Sequence, residues 1–256
     1  MSVLIGTSGW QYRHWRGRLY PEGLPQSRWL EHYAQRFRAL EINATFYRLP
    51  AKSTFAGWAR RTPDDAVLAV KASRYLTHLR RLRDPEEPVA RLLARAQPLH
   101  GKLGAVLVQL PPDLRVDVEA LERCLAAFPP TVRVAVEPRH ASWDRDDVRA
   151  LLVDRGAALC LADRRGPVGP LWRTADWGYL RLHEGRARPA PCYGRRALAG
   201  WAERLAGMWD PADDVLVFFN NDGGGCAVRN AVVFAEEAER VGLRPTRVPS
   251  LDDAPV

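Results

Sequence analysis

The sequence predicts a single α/β domain, a (β/α)8 TIM-type barrel in which eight parallel strands are ringed by helices. The chain has 256 residues, close to the roughly 250 of such a barrel. Strand-length apolar runs alternate with helical patterns along nearly the whole chain, which indicates a parallel sheet. No GxGxxG motif follows the first run, so the usual dinucleotide signature of an open doubly wound sheet is missing. We therefore favour a closed barrel over the open sheet.

Eight apolar runs are predicted to form the strands of this barrel. They are rich in β-branched and aliphatic residues, as expected for strands that are buried on both faces. In order they are 3–8, 39–43, 66–72, 104–110, 132–137, 157–162, 178–183 and 215–220. We predict a barrel domain over 1–242 and a surface extension over 243–256, because the tail is rich in proline and aspartate.

Helical patterns separate most of these runs. The first is marked by Trp29, Tyr33 and Phe37 at four-residue spacing. Asp117 has the position of an N-cap, and Gly156 that of a left-handed residue just past a helix end. Further apolar stripes begin near Val89, Val118, Val148, Leu198 and Ala227. The connection over 163–177 has no helical pattern and is predicted to be an irregular loop.

The charge and hydropathy of the chain limit its partners. No apolar run approaches the roughly 20 residues that span a bilayer, so we expect a cytoplasmic protein with no membrane partner. The formal net charge is +8. A basic surface can attract nucleic acid or anionic substrates. The alternative, which we favour, is a codon bias, because nearly all basic residues are arginines spread along the chain.

The four cysteines do not have metal-binding spacing. No CxxC pair occurs, which disfavours a zinc knuckle. Cys124 and Cys160 lie within apolar patterns and are predicted to be core residues. Cys226 follows three glycines at a predicted helix start, where the helix dipole favours a thiolate. It is a weak candidate nucleophile, because no base partner is visible nearby in the sequence.

Polar residues gather at the carboxyl ends of the predicted strands, where the active sites of β/α barrels are found. The segments are GTSGW (6–10), EINATFY (41–47), KASRYLTH (71–78), VQLPP (108–112), VEPRHASW (136–143), Asp163, RLHEG (181–185) and FFNNDGGG (218–225). In this order they resemble the YecE-like family, also called domain of unknown function 72, over nearly the whole chain. The resemblance implies a β/α barrel with a polar, aromatic-rich cavity at its C-terminal face, and it leaves the reaction open.

Two carboxylates are candidate catalytic residues. Glu41 and Glu137 end the second and fifth strands, and such a pair across a barrel mouth can act as acid and base or hold a divalent metal. The alternative is a buried carboxylate that is bonded to Arg139 or Arg181. For Glu41 the two interpretations weigh equally, because Asn43 is another residue that can point inward.

A lysine and a histidine complete the candidate catalytic set. Lys71 ends the third strand, and lysine is scarce in this chain. We favour anion binding by Lys71, then an ion pair with Glu41 or Glu137, then a Schiff base. His183 ends the seventh strand and is the preferred general base, with His140 as second choice.

The remaining candidate residues are predicted to bind the ligand. Glycines 223–225 at a helix start can bring backbone N–H groups to an anion, and the polar residues before them are costly to bury without partners. Aromatic side chains near the same ends can stack on a ring, or they can form a hydrophobic collar. The predicted binding residues are Thr7, Trp10, Asn43, Tyr47, Tyr75, His78, Gln109, Arg139, His140, Trp143, Arg181, Asn220, Asn221 and Asp222.

Three functions are compatible with this pattern. We favour an enzyme of acid–base hydrolase, lyase or isomerase type that acts on a small polar or anionic, sugar- or phosphate-like molecule. The second is a nucleic-acid binding or processing barrel, which the net charge suggests. The third is a ligand sensor without catalysis. We predict no cofactor. A divalent metal is possible but has no local motif such as HExxH, and the oligomeric state stays open.

Overall fold

A computed structural model describes residues 1–166 and 169–250 as a closed barrel of eight parallel strands. The strands are β1 (Ser2–Ser8), β2 (Ala39–Ile42), β3 (Val67–Lys71), β4 (Leu103–Gln109), β5 (Val134–Glu137), β6 (Ala158–Asp163), β7 (Trp177–Leu182) and β8 (Asp214–Phe219). Each pairs with the next, and β1 pairs with both β2 and β8, which closes the ring. The predicted fold class and all eight predicted strands are confirmed.

Helices cover the outside of the barrel. They are α1 (Trp29–Arg36), α2 (Ala44–Tyr47), α3 (Lys52–Arg60), α4 (Glu86–Ala96), α5 (Val118–Ala126), α6 (Asp146–Asp154), α7 (Arg195–Met208) and α8 (Cys226–Arg240). Asp117 caps α5 by accepting a hydrogen bond from the Ala120 amide at 2.9 Å, and Gly156 has a φ of +58° after α6, as predicted. The sequence pattern missed α2 and α3, which are short. Within the described ranges, no helix is long and apolar enough to traverse a bilayer.

The described part of the connection between β6 and β7 contains no helix, in agreement with the predicted irregular loop. Pro167 and Val168 of this predicted loop lie outside the described residues. Seven of the eight strands therefore have a helix after them, whereas β6 is followed by irregular chain over its described residues. Over the described residues, a loop rather than a helix therefore connects β6 to β7.

The strands bury two separate apolar layers. One set of alternating residues faces the helices, and the other fills the barrel, because successive side chains of a strand point to opposite faces. Small residues from five strands leave room in the barrel for Trp177, Tyr179 and Phe218; they are Ala39, Ala69, Ala105, Ala135 and Ala158. At Gly6 a Cβ atom would lie 2.1 Å from the carbonyl oxygen of Ala39, so only glycine allows β1 to approach β2 there.

The start of the predicted C-terminal extension packs against the barrel. A two-residue strand, β9 (Arg244–Pro245), pairs with Ser2 and Val3 of β1. Thr246 extends this contact, because its amide donates to the Val3 carbonyl at 2.8 Å. Residues 251–256 of the predicted extension lie outside the described residues. The domain boundary at 242 stays a prediction.

A disulfide joins Cys192, in the loop before α7, to Cys226 at the first turn of α8. The suggestion that Cys226 is a thiolate nucleophile is therefore wrong, because its sulfur is already bonded. Cys124 and Cys160 are free and buried, as predicted. Disulfides are uncommon in the cytoplasm, so the expected cytoplasmic location stays a prediction that this bond does not favour.

Candidate functional site

A charged layer closes the C-terminal end of the barrel interior. The inward positions that follow the apolar layer carry Glu41, Lys71, Gln109, Glu137 and Arg181, each two residues beyond Ala39, Ala69, Leu107, Ala135 and Tyr179. All five side chains belong to buried residues. The alternation of the strands thus brings five of the predicted site residues to one place, which we call the mouth.

Arg181 joins the two predicted catalytic carboxylates. Its Nη2 donates to Glu41 Oε1 at 2.8 Å, and its Nη1 donates to Glu137 Oε2 at 2.5 Å. Burial alone would raise the pKa of Glu41, but the Arg181 charge and hydrogen bond hold that pKa below its usual value. The same carboxylates raise the pKa of Arg181 well above its usual value, although burial opposes this. The geometry matches the arginine-bound alternative for both glutamates.

Glu137 is surrounded by donors. Gln109 Nε2 lies 3.0 and 2.9 Å from its two oxygens, and Arg139 Nε donates to Oε1 at 3.2 Å. His183 Nε2 lies 3.6 Å from Oε1. Burial opposes ionisation, but Arg181, His183 and Arg139 hold the pKa of Glu137 well below its usual value. A carboxylate that stays ionised near neutral pH cannot donate a proton, which argues against Glu137 as the acid of an acid–base pair.

Tyr179 is a mouth residue that the sequence reasoning missed. Its hydroxyl donates to Glu41 Oε2 at 2.7 Å, and the residue is fully buried. It lies in the middle of β7, whereas the predicted site residues lie at strand ends. The available signal was its position two residues before Arg181, on the same face of the strand.

Lys71 has a different environment from the two glutamates. Its Nζ lies 4.1 Å from the centre of the Phe46 ring, over the ring face. Among the described residues no carboxylate oxygen lies within 4.0 Å of it, so the predicted ion pair with Glu41 or Glu137 is not formed. Burial lowers the pKa of Lys71 to about 8, and the Arg181 charge adds to this effect while Glu41 and Glu137 oppose it. The amine therefore changes charge near physiological pH.

His183 links the charged layer to the end of β8. Its Nδ1 lies 2.9 Å from Asn220 Nδ2, and its Nε2 lies 3.4 Å from Arg181 Nη1. The side chain is partly accessible, with 11% of its surface exposed. His183 is thus close to the ionised Glu137 and still within reach of a ligand at the mouth.

Several polar groups of the turn after Asn220, which was predicted to bind an anion, form hydrogen bonds within the protein. Asn221 Nδ2 donates to Asn230 Oδ1 and to the Pro191 carbonyl, which ties the turn to α8 and to the disulfide loop. The Gly224 carbonyl accepts a hydrogen bond from Arg18. Asn220 is therefore the residue of this turn that contacts the mouth through His183.

Asp222 forms a separate polar contact with the loop after β1. His14 Nε2 lies 2.8 Å from its Oδ2, and Trp15 Nε1 donates to its Oδ1 at 2.9 Å. Burial raises the pKa of Asp222 to about 6, although both contacts oppose this rise. A carboxylate at this place repels an anion when ionised. His14 escaped the sequence reasoning because it lies well past the strand end.

Of the predicted ligand contacts after β1 and β2, most lie outside the charged layer. Thr7 bonds the Tyr33 hydroxyl in the layer between β1 and α1. Trp10 packs edge-on against Trp58. Tyr47 is 74% exposed. Asn43 precedes α2, and its buried Oδ1 accepts no hydrogen bond from a described group.

The predicted contacts after β3 and β5 surround the mouth. The His78 ring lies 4.9 Å from the Phe46 ring, and burial, Lys71 and Arg139 lower the pKa of His78. Tyr75 stacks under Arg91. His140 Nδ1 bonds Ser142, and Trp143 Nε1 donates to the Leu114 carbonyl at 2.7 Å. These last two residues shape the loop after β5.

The described residues do not offer a ready metal site. No group of three or more His, Cys, Asp or Glu side chains suited to a metal occurs within 1–166 and 169–250. The Arg181 guanidinium lies between the two carboxylates that were considered for a metal. A divalent ion would have to compete with this cation for the same oxygens.

Comparisons with known proteins support the family suggested by the sequence. A family model described as "Protein of unknown function DUF72" matches residues 4–252. The UPF0759 protein YunF of Bacillus subtilis is 25% identical over 281 aligned positions, which cover 96% of this chain and 99% of that protein. The UPF0759 protein YecE of Escherichia coli is 29% identical over 155 residues, or 60% of this chain; that match spans about half of YecE, 54%.

Solved structures show the same fold. A crystal structure of a DUF72 family protein from Thermotoga maritima has a TM-score of 0.80 and 31% identity, covering 93% of this chain and 100% of that one. A DUF72 family protein from Enterococcus faecalis has a TM-score of 0.77 at 19% identity, covering 93% and 95% of the two chains. At that lower identity the similarity shows the fold alone.

Proposed function

This chain belongs to the DUF72 family, and from that premise we propose that it is an enzyme acting on a small polar anion at the mouth of its barrel. The observation that carries the proposal is Lys71, a buried amine with no carboxylate partner within ion-pair distance among the described residues and a pKa of about 8. An amine of this kind binds an anion when it is charged and accepts a proton when it is neutral.

The charges of the mouth favour an anionic ligand. Glu41 and Glu137 are opposed by Arg181, Arg139 and, when it is protonated, Lys71. Arg181 is already bonded to both carboxylates and is almost fully buried. Arg139 keeps 29% of its side chain exposed. The surplus positive charge therefore lies on Lys71 and Arg139, where a phosphate or carboxylate group can approach.

The proposed roles differ from those that the sequence suggested. Lys71 is the proton acceptor in this account, because about a tenth of a group with this pKa is neutral at pH 7. His183 is the second group that can exchange a proton, held between Asn220 and Glu137. Glu137 and Glu41 are positioning residues that hold Arg181 and set the field around the amine. This chemistry suits an isomerase, lyase or hydrolase of acid–base type.

The reactivity of Lys71 can be tested with pyridoxal 5′-phosphate, which carries both an anion and an aldehyde. A neutral lysine amine adds to the aldehyde carbon and loses water to form an imine, which borohydride reduces to a stable secondary amine. The chain has lysines only at 52, 71 and 102. We expect peptide mass spectrometry to find the label mainly on Lys71 at pH 7.5, and excess inorganic phosphate to protect it. Equal labelling of all three lysines, or no protection, contradicts the proposal.

A functional test follows from the same reasoning. When turnover is screened with small sugar phosphates and carboxylates, Lys71→Met should abolish any activity found. Lys52→Met is the matched control, because Lys52 is exposed at the start of α3. Activity that survives in Lys71→Met at the wild-type level would remove Lys71 from the reaction.

Nucleic-acid binding and ligand sensing remain predictions. Near the mouth, Arg165 forms an ion pair with Glu184. This pair reduces the positive charge that an extended phosphate backbone would meet. Binding to single- and double-stranded DNA that weakens steeply with salt would favour the nucleic-acid function over the small-molecule enzyme.

A further inference from the structure

The strand pairing of the barrel is short beside Glu137, between β5 and β6. These two strands pair only at Ala135 with Ala158 and at Val136 with Leu159. By comparison, β7 and β8 pair over six residues. Strand β5 ends at Glu137, whereas β6 continues to Asp163, so their carboxyl ends are not hydrogen-bonded to each other. Glu137 is therefore paired with β4 on one side, whereas on the side toward β6 it has no strand partner.

A cavity of about 400 Å³ lies beside these two strands, between the loop after β5 and the described chain after β6. Its apolar lining includes Leu159 and Leu161, which point away from the barrel interior, together with Trp143, Leu171 and Trp172. This is the unit in which the described residues contain no helix after the strand. The volume falls within the range of about 300–1,000 Å³ that is typical of small-molecule sites.

The rim of the same cavity is basic. Arg139, Arg164 and Arg165 contribute to the lining, and Asp144 is the carboxylate among the lining side chains. Arg165 is paired with Glu184, so the charge of the rim rests mainly on Arg139 and Arg164. Arg164 Nη2 donates to the Arg139 carbonyl at 3.3 Å, which brings the two arginines together. Arg139 also donates to Glu137. This one side chain therefore belongs both to the cavity and to the charged mouth.

We propose that this cavity binds the ring of the substrate, and that the substrate is an organic anion with a planar apolar ring. The proposal rests on the function proposed above and adds the class of molecule. The ring packs among Trp143, Leu161 and Trp172, where aromatic and aliphatic side chains offer flat apolar surface. The phosphate or carboxylate group pairs with Arg139, which places it next to the charged layer.

The binding of 1-naphthyl phosphate, measured by isothermal titration calorimetry, tests this proposal. Inorganic phosphate, which has only the anion, and 1-naphthol, which has only the ring, are measured for comparison. We expect 1-naphthyl phosphate to bind at least tenfold more tightly than either, because it uses the cavity and the arginines together. 1-Naphthoate distinguishes the two types of anion. Tighter binding of 1-naphthyl phosphate than of 1-naphthoate indicates a phosphate ligand, and tighter binding of 1-naphthoate indicates a carboxylate ligand. Equal affinities for 1-naphthyl phosphate and inorganic phosphate would overturn the role of the cavity.

Two charge-insertion variants locate the ring. Leu171→Glu places a carboxylate in the lining and should weaken 1-naphthyl phosphate binding at least tenfold. Val153→Glu is the matched control, because Val153 is also an exposed apolar residue but lies on α6 outside the cavity. Both positions are solvent-accessible, so both variants should fold. An equal loss in the two variants, or no loss in Leu171→Glu, contradicts the proposal.

Lys71→Met separates this inference from the function proposed for the mouth. If Lys71→Met weakens inorganic phosphate binding while Leu171→Glu leaves 1-naphthyl phosphate binding intact, the anion site stands and the ring cavity is wrong. If Leu171→Glu abolishes ring binding while Lys71→Met changes nothing, the cavity stands and the proposed role of Lys71 is wrong.

Discussion

The two sides of the mouth hold charge in opposite ways. On one side Arg181 is clamped between Glu41 and Glu137, with every partner buried and within hydrogen-bond distance. On the other side Lys71 lies over the Phe46 ring with no described carboxylate within 4.0 Å. The paired side keeps a fixed ionisation state near neutral pH, whereas the unpaired amine titrates close to it.

This difference shows why a charged strand end does not reveal its own role. Desolvation acts on both sides, but at Glu137 it is outweighed by Arg181, and at Lys71 it prevails. A buried group that is paired with opposite charges keeps its own charge and supplies a constant electrostatic field. A buried group without a close partner has a pKa that burial can shift toward neutral pH, so it can exchange a proton. In the proposed function, the paired side of the mouth therefore positions groups and the unpaired side exchanges protons.

The largest expected effect comes from removing the shared cation with Arg181→Met. Two buried carboxylates would lose their partner, which should lower the free energy of unfolding by about 3–5 kcal/mol at pH 7. In the wild type the pKa values of both glutamates are lowered, so their contribution is present above pH 4.3 and is lost as the pH falls below it. In the variant burial raises both pKa values, so its stability should fall as the pH rises from 5 to 8.

Urea unfolding at pH 5 and pH 8 measures this reversal. Arg181→Lys keeps the charge but loses the two-pronged contact, and it should cost less than Arg181→Met. Arg145→Met is the surface control, because Arg145 pairs with Asp147 at an exposed position and should change stability by less than about 1 kcal/mol. If Arg145→Met and Arg181→Met lower the free energy of unfolding equally, the pairing of Arg181 with Glu41 and Glu137 contributes no more to stability than a surface ion pair.

A smaller effect of opposite sign is expected for Lys71→Met. The pKa of Lys71 is about 8 in the folded protein and 10.5 in its ordinary state, so protonation opposes folding below pH 8. Removing the amine should stabilise the protein at pH 7 by up to about 3 kcal/mol. Between pH 8 and 10.5 the amine is neutral in the folded protein and still protonated in the unfolded chain. The free energy of unfolding of the wild type should therefore rise toward that of Lys71→Met over this range. A destabilised Lys71→Met variant at pH 7 would contradict the account.

The smallest expected effects are shifts in the titration of Lys71 itself. Glu137 raises the pKa of Lys71 and Arg139 lowers it. Glu137→Gln should therefore lower the Lys71 pKa, and Arg139→Gln should raise it, each by on the order of half a unit. Shifts of the same sign in both variants would show that local rearrangement, rather than charge, governs the amine.

The sequence predicted the barrel and the gathering of the candidate site residues at its C-terminal end, because both depend on local patterns. Buried parallel strands are continuous apolar runs, and a period of two places Glu41, Lys71 and Arg181 on the inner face. The partners of these residues depend on contacts across the barrel, such as Arg181 with Glu41, 140 positions apart. The disulfide between Cys192 and Cys226 has the same origin, because the 34-residue separation carries no spacing signal.

An NMR titration of Lys71 distinguishes an amine that exchanges protons near neutral pH from an ordinary charged lysine. With only three lysines in the chain, ¹³C-labelled lysine gives three NMR signals, and Lys71→Met assigns the one from the mouth. The account predicts that this signal titrates with a pKa of about 8. A midpoint near 10.5, the ordinary value for lysine, would contradict it and leave the mouth without a reactive amine near neutral pH.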